Sequence, residues 1–188
     1  MIRILSPLFV PIAMTMTLTL ASCAHYRSGS GGFKRPSEYT NGQSALSEIG
    51  SYRPRESFKL FWPVKDVRLS RGFRPKNAPR HEGVDLGGKK GLPIRAAHEG
   101  IVIYSGRDFR GYGNMVLIEY DRNWATLYAH LHEIHAREGM IVRPGDPLGT
   151  MGRTGRATGV HLHFELLHKR QPVDPLPYLA RPHHFASQ

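Results

Sequence analysis

The sequence contains a single cysteine, Cys23, among its 188 residues. One thiol cannot form a disulfide within the chain, and it also excludes a structural zinc site built from several cysteines. Two other common patterns are absent from the sequence: the helical His-Glu-x-x-His pair of zinc peptidases and the glycine-rich spacings that hold nucleotide phosphates. Hydrolytic metal chemistry would therefore depend on histidines and carboxylates in another arrangement.

Acidic residues are also scarce, with 15 Asp and Glu against 26 Lys and Arg and a formal net charge of +11. A strongly basic protein binds polyanions such as nucleic acid, anionic lipid or an acidic cell-wall polymer. Composition does not distinguish among these partners, so the choice depends on where the protein is located.

The N-terminus predicts that location. Residues 1–22 are typical of a secretory signal peptide, because a basic residue precedes an apolar stretch that ends in small residues. The ending "LASC" resembles the bacterial lipobox, which implies cleavage before Cys23 and lipidation of its thiol. The alternative is an ordinary signal peptide followed by an incidental cysteine. Ala24, where the sorting pattern has aspartate for inner-membrane retention, implies the outer membrane facing the periplasm. Nucleic acid is then excluded as a partner.

The rest of the chain divides into three parts. Residues 23–58 are polar and rich in glycine and serine, which predicts a flexible tether. Residues 59–179 contain short β-prone segments separated by glycine and proline turns, which predicts an all-β domain, an antiparallel sandwich or barrel. Residues 121–123 are predicted to form the turn of a hairpin. Residues 180–188 form a polar tail.

Two histidines lie two residues apart in the segment "TGVHLHFEL". Side chains alternate between the faces of a strand, so His161 and His163 are predicted to share one face while the intervening apolar residues take the other. We expect Glu165 to lie on the face opposite these histidines. Such a pair of imidazoles is either half of a metal site or a hydrogen-bonded structural pair.

Two further segments hold candidate ligands. "RHEGVDLGG" contains His81 and Asp85, and "TLYAHL" contains His130. Each has an ordinary structural explanation in isolation: Asp85 can cap a turn, and His130 can be a hydrogen-bonded strand residue. A catalytic zinc ion uses three protein ligands, commonly imidazole and carboxylate, and two histidines with one aspartate match that count.

Taken in order, these motifs resemble those of the lysostaphin/LytM-type zinc metallopeptidases over roughly residues 61–179. The resemblance implies a small antiparallel β domain with long loops around a groove. It implies one zinc ion bound by His81, Asp85 and His163, with His161 and His130 lining the site. Val160 departs from the family pattern, which often has proline there, and this affects loop stiffness only.

Roles for the remaining groups follow from the chemistry. Without a helical glutamate, a histidine must act as general base, and we assign this role to His161 because it shares a face with His163. His130 would stabilise the oxyanion or hold the attacking water. Tyr128 and Asn114 are candidates for substrate binding; their alternatives are a core or rim tyrosine and a turn-shaping asparagine.

The resemblance implies a zinc-dependent endopeptidase that cleaves peptide cross-links of peptidoglycan. An outer-membrane lipoprotein implies a cross-link between D-alanine and diaminopimelate. One alternative is a regulatory or wall-binding factor of the same type that activates an amidase without catalysis of its own; another is a zinc protease acting on proteins. The predicted partners are peptidoglycan and, through Cys23, the membrane, with an amidase or division-machinery partner left open.

Overall fold

The computed structural model describes residue 58 and residues 60–180. The predicted signal peptide, the predicted lipidation site Cys23, almost all of the tether and the tail from residue 181 lie outside the described residues. No helix in the described part of the chain has the length and hydropathy that crossing a bilayer requires.

The described residues form ten β-strands and one short 3₁₀-helix, which confirms the predicted all-β class. The elements are β1 (Arg68–Arg71), β2 (Val84–Gly87), β3 (Pro93–Arg95), β4 (Gly100–Gly106), β5 (Asn114–Glu119), β6 (Trp124–Ile134), β7 (Ile141–Val142), β8 (Pro147–Met151), β9 (His161–His168), β10 (Gln171–Val173) and the 3₁₀-helix Leu176–Tyr178. The predicted hairpin joins β5 to β6. Its turn is closed by Asp121, whose Oδ1 accepts hydrogen bonds of 2.8 Å from the backbone N–H groups of Asn123 and Trp124.

All ten strands belong to one antiparallel sheet with the main order β1-β2-β9-β6-β5-β4-β7. β10 pairs with β9, and β8 pairs with both β3 and β6. The sheet branches along β6, because residues 124–129 pair with β9 whereas Leu131 onward pairs with β8. His130 lies at this change of partner and has a φ of +62°. A left-handed conformation is costly for histidine and is held here by the strands on either side.

The apolar core lies on one face of β2 and β9. Val84, Leu86, Leu162 and Phe164 are fully buried there, in alternation with polar residues on the other face. Each such side chain contributes about 1.5–3 kcal/mol through removal of apolar surface from water. The core therefore fixes which face of these two strands is left for polar chemistry.

A buried polar cluster lies elsewhere in the core. His98 is 1% exposed and is hydrogen-bonded through Nε2 to Thr126 Oγ1 at 2.7 Å, while its Nδ1 donates to the backbone carbonyl of Glu99. Burial lowers the pKa of His98 to about 4. The imidazole is consequently neutral in the folded protein near neutral pH.

This burial predicts a pH-dependent stability. An unfolded histidine titrates near pH 6.5, so the unfolded chain binds more protons than the folded chain between about pH 6.5 and 4. The contribution of His98 is complete above pH 6.5, and about 3 kcal/mol of it is lost as the pH falls to 4. We expect His98→Gln to remove this part of the pH dependence, measured by denaturant unfolding of the full chain with a chelator present.

The matched control is His135→Gln, since the His135 side chain is 48% exposed. It should keep the pH dependence of the unchanged protein. If the His98→Gln variant lost as much unfolding free energy on acidification as the unchanged protein does, the prediction would be wrong.

Candidate metal centre

The register between β2 and β9 assembles the polar site. Asp85 lies opposite His163, and Gly87 lies opposite His161. Directly opposed residues of an antiparallel pair point to the same face, so the carboxylate and both imidazoles converge. His81 reaches the same point from the segment just before β2, with its Nε2 2.9 Å from Asp85 Oδ1.

Three ligand atoms from His81, Asp85 and His163 lie within 4.8 Å of one another. His163 Nδ1 is 2.8 Å from Asp85 Oδ1, the oxygen that His81 also contacts. Ligands bound to zinc at about 2.0–2.2 Å in a tetrahedron lie roughly 3.3–3.6 Å apart, so only small shifts of these side chains are needed. Both the donor types and their spacing fit a zinc ion.

The outward nitrogen of each imidazole is occupied by an acceptor. His81 Nδ1 donates to the carbonyl of Gly72 at 2.8 Å, and His163 Nε2 donates to Glu165 Oε1 at 2.9 Å. Carbonyl and carboxylate oxygens only accept hydrogen bonds, so the outward nitrogens carry the protons. The inward nitrogens are thereby directed at Asp85, where a proton or a metal ion is held.

The electrostatics of this cluster favour a bound cation. Burial by itself raises the pKa of Asp85, but hydrogen bonds from His163 and His81 outweigh burial and hold that pKa well below its usual range. Burial by itself lowers the pKa of His163, and its hydrogen bonds to Asp85 and Glu165 raise it instead, to about 9. A metal ion that displaces the inner proton of His163 satisfies the same buried negative charges.

Glu165 corrects one prediction. It is 2% exposed and accepts hydrogen bonds from His163 Nε2 and from the Tyr112 hydroxyl, each at 2.9 Å. The expectation that it lies opposite the histidines was wrong, because residues two apart in a strand share a face and Glu165 is two beyond His163. That spacing was visible in the sequence. Tyr112 had no local signal, since it is 53 residues away from Glu165.

His161 and His130 lie beside the three-ligand cluster with their rings 4.7 Å apart. His161 Nδ1 donates to the carbonyl of Gly159 at 3.0 Å, and its Nε2 is 3.5 Å from Asp85 Oδ1. His130 Nδ1 donates to the carbonyl of Thr154 at 2.8 Å. Burial and the neighbouring histidines lower the pKa of His130 to about 4. Its neutral ring therefore has an Nε2 that accepts hydrogen bonds.

The loop before β9 is held against the backbone of residues 111–113. Gly155 has a φ of +70°, and a Cβ at this position would overlap the carbonyl oxygen of Gly111. Arg156 N–H donates to that same carbonyl at 2.8 Å. This close backbone approach requires glycine and sets the position of Thr154, which accepts the hydrogen bond from His130.

The structure corrects both substrate-binding candidates. Tyr128 is fully buried, and its hydroxyl accepts a hydrogen bond of 2.8 Å from Ala97 N–H, so it is a core tyrosine. Asn114 donates its side-chain amide to the carbonyl of His132 at 3.1 Å and its backbone N–H to Thr154 Oγ1, so it shapes the turn before β5. Neither residue lines the groove above the histidines.

The groove runs between β1 and the loop before β9. Its floor is formed by the five histidine and aspartate residues described above and Gly87. Arg68, Ser70 and Arg71 form one wall, and the other contains Arg156, Thr158, Gly159 and Val160. The cluster thus lies at the bottom of an open cleft that an extended peptide can enter.

Comparison with known proteins identifies the family of this chain. Residues 79–175 match the model of peptidase family M23. The chain is 38% identical over 120 residues to a lipoprotein NlpD/LppB homolog of Pseudomonas aeruginosa, covering 64% of this chain and 39% of that one. It is 38% identical over 120 residues to the DD-carboxypeptidase/endopeptidase Mpg of Neisseria meningitidis, covering 61% of this chain and 27% of that one. It is 39% identical over 118 residues to the murein hydrolase activator NlpD of Salmonella typhimurium, covering 63% of this chain and 30% of that one.

Solved structures give the same result for the fold. A zinc-containing peptidase from Vibrio cholerae superposes with a TM-score of 0.57 at 34% identity, covering 62% of this chain and 39% of that one. A putative peptidase M23 from Pseudomonas aeruginosa superposes with a TM-score of 0.60 at 32% identity, covering 71% of this chain and 58% of that one. The chain thus spans 27 to 39% of the length of the three relatives named above.

The ligand set predicts the effect of removing its carboxylate. Asp85→Asn should lower the zinc content of the full chain from about one ion to below about a tenth of an ion, because an amide neither neutralises the metal nor binds it strongly. Elemental analysis after dialysis against zinc measures this content. The control is Asp66→Asn, which makes the same change at an exposed aspartate and should leave zinc unchanged. Full zinc content in the Asp85→Asn variant would contradict the assignment.

The hydrogen bond to Glu165 predicts a smaller effect. Glu165→Gln keeps the shape but removes the charge that orients His163, so zinc affinity should fall by roughly 10- to 100-fold. Competition with a chromophoric chelator measures this affinity. Glu133→Gln, at a side chain that is 60% exposed, is the matched control. Equal affinities in the two variants would show that Glu165 does not support the metal ligand.

Proposed function

The chain belongs to peptidase family M23, and from that membership and the geometry of the groove we propose that it is a zinc-dependent endopeptidase that cleaves peptide cross-links of peptidoglycan. The single observation that carries the proposal is the complete cluster of His81, Asp85 and His163 at the floor of an open groove. A non-catalytic domain does not require three converging metal ligands, nor two imidazoles whose outer nitrogens are held by hydrogen bonds.

We assign His81, Asp85 and His163 as the residues that hold one zinc ion. When bound, zinc acidifies a water molecule and polarises the carbonyl of the scissile bond. The protein holds the ligands rigidly. The hydrogen bonds from His81 to Gly72 and from His163 to Glu165 fix the orientation of the two imidazoles. The pairing of β2 with β9 leaves the other face of the cluster open to substrate.

His161 is assigned as the general base. Its Nδ1–H donates to the carbonyl of Gly159, so in the neutral ring the free electron pair is on Nε2, which lies 3.5 Å from Asp85 Oδ1. Nε2 takes a proton from the water that attacks the carbonyl carbon and returns it to the nitrogen of the leaving group as the C–N bond breaks. The products are a free carboxylate and a free amine.

His130 is assigned as the residue that holds the attacking water. Its Nδ1–H is engaged by Thr154, and its pKa of about 4 leaves Nε2 unprotonated near neutral pH, so it accepts a hydrogen bond from the water. The alternative role, donation to the developing oxyanion, requires a protonated Nε2. The geometry and the lowered pKa of His130 therefore favour holding the attacking water over stabilising the oxyanion.

We also propose that the protein is exported and anchored by lipid at Cys23, in the outer membrane facing the periplasm. The lipobox-like "LASC" and Ala24 support this location, as do relatives named as lipoproteins. From there the groove meets peptidoglycan whose cross-links join D-alanine to diaminopimelate. This location comes from the sequence and the names of relatives, since Cys23 lies outside the described residues.

A second candidate function is activation of another murein hydrolase, such as an amidase, without cleavage. Relatives named murein hydrolase activator are as similar to this chain as the relative named DD-carboxypeptidase/endopeptidase, at 39% and 38% identity. Identity therefore does not discriminate between the two functions. The intact ligand cluster favours the peptidase.

The deciding experiment incubates the zinc-loaded full chain with purified sacculi and analyses the released muropeptides by mass spectrometry. We expect cross-linked dimers to be lost and monomers to form, and a chelator to abolish both changes. His161→Ala should keep its zinc yet lose activity by roughly 10²- to 10⁴-fold, the usual contribution of a general base. His135→Ala should behave like the unchanged protein. An unchanged muropeptide profile from zinc-loaded protein would instead favour the activator, to be tested by adding a purified amidase.

A further inference from the structure

The walls of the groove carry three arginines, Arg68 and Arg71 on β1 and Arg156 on the opposite loop. Asp85 is the one acidic residue among the groove-lining residues in the described part of the chain, so the arginine and aspartate side chains alone give a charge of 3 − 1 = +2. We propose that these arginines bind the free carboxylates of the substrate peptide beside the scissile bond. The proposal rests on the proposed function and adds the residues that would recognise the cross-link.

Arg68 lies over Gly87, the residue of β2 that pairs with the proposed base. A Cβ placed on Gly87 would be 3.6 Å from Arg68 Nε, so the side chain of Arg68 crosses over the end of β2. Gly87 pairs with His161 across the sheet. The absence of a side chain at Gly87 leaves the space that Arg68 and a substrate group occupy next to His161.

Arg71 lies at the edge of the ligand cluster. Its Nη1 is 3.7 Å from Asp85 Oδ2, too far for a hydrogen bond, and its side chain is 50% exposed. Arg71 therefore lines the groove without a hydrogen bond to Asp85 and has donors available to a ligand. Within residues 60–180 no carboxylate lies at ion-pair distance from Arg68 or Arg156, so these guanidinium groups are not neutralised by the described protein.

The chemistry of these groups points to carboxylates. A guanidinium presents a planar pair of donors that matches a carboxylate, and charge-assisted hydrogen bonds of this kind are roughly twice as strong as neutral ones. When D-alanine acylates one amine of diaminopimelate, the carboxylate on the same carbon stays free beside the scissile nitrogen. A bridge made of glycine has no such group next to its internal bonds. The arginines would thus select cross-links to a diamino acid with a free carboxylate.

The test compares two synthetic cross-linked peptides that differ only in that carboxylate, which is free in one and a carboxamide in the other. For the zinc-loaded full chain, we expect kcat/KM to be roughly 10- to 100-fold higher for the free acid, the range for a hydrogen bond to a charged group. Arg68→Ala should lose most of this preference, because the loss of kcat/KM falls mainly on the acid. Arg68→Lys should restore part of it, because the charge returns without the planar fork.

Arg143→Ala is the matched control, since it removes one positive charge from an exposed arginine outside the groove. It should keep the full preference for the free acid. Zinc content and thermal unfolding are measured for each variant, so that a loss of metal or of fold is separated from a loss of recognition.

Binding of both peptides to the metal-free full chain, measured by calorimetry, separates this proposal from the proposed function. If neither peptide is cleaved but the acid binds at least about tenfold more tightly, and Arg68→Ala removes that difference, the carboxylate site stands and the peptidase assignment fails. If acid and amide are bound and cleaved equally, or if Arg143→Ala weakens the preference as much as Arg68→Ala does, the carboxylate site is overturned.

Discussion

The pairing of β2 with β9 is the constraint on which the site depends. This register puts Asp85 opposite His163 while Leu86 and Phe164 enter the core. A slip by one residue would turn the carboxylate into the apolar core and expose leucine and phenylalanine to the groove. The hydrophobic core therefore stabilises the one register in which the metal-ligating atoms meet, and packing on one face determines the chemistry on the other.

Asp85 is a buried charge, and the surrounding groups are arranged around it. A buried carboxylate is tolerated only when it is paired and hydrogen-bonded, and here it accepts from two imidazoles. Those imidazoles are oriented in turn by Gly72 and Glu165, and Glu165 is held by Tyr112. Within the described residues, this network of contacts brings three ligand atoms from two separated segments around one position for a cation.

The branch in β6 supplies the other half of the site. His130 lies where the strand exchanges β9 for β8, and its left-handed backbone is held by hydrogen bonds to Tyr112 and Thr154. The glycine-rich loop whose Thr154 carbonyl accepts the hydrogen bond from His130 also forms one wall of the groove and contains Arg156. The close backbone contact at Gly155 thus links the branch at His130 to the basic wall of the groove.

Local patterns in the sequence predicted the strands and the hairpin at Asp121, because alternation and turn chemistry act between near neighbours. The set of five polar residues came from the resemblance to a family. The position of Glu165 was also within reach of that alternation, although the prediction for it was wrong. Only the tertiary structure decided that Tyr128 is buried, that Asn114 holds a turn, and that Tyr112 supports Glu165 across 53 residues of chain. These contacts join segments brought together by sheet pairing and by the branch at His130, and no short-range pattern specifies which distant backbone groups will meet.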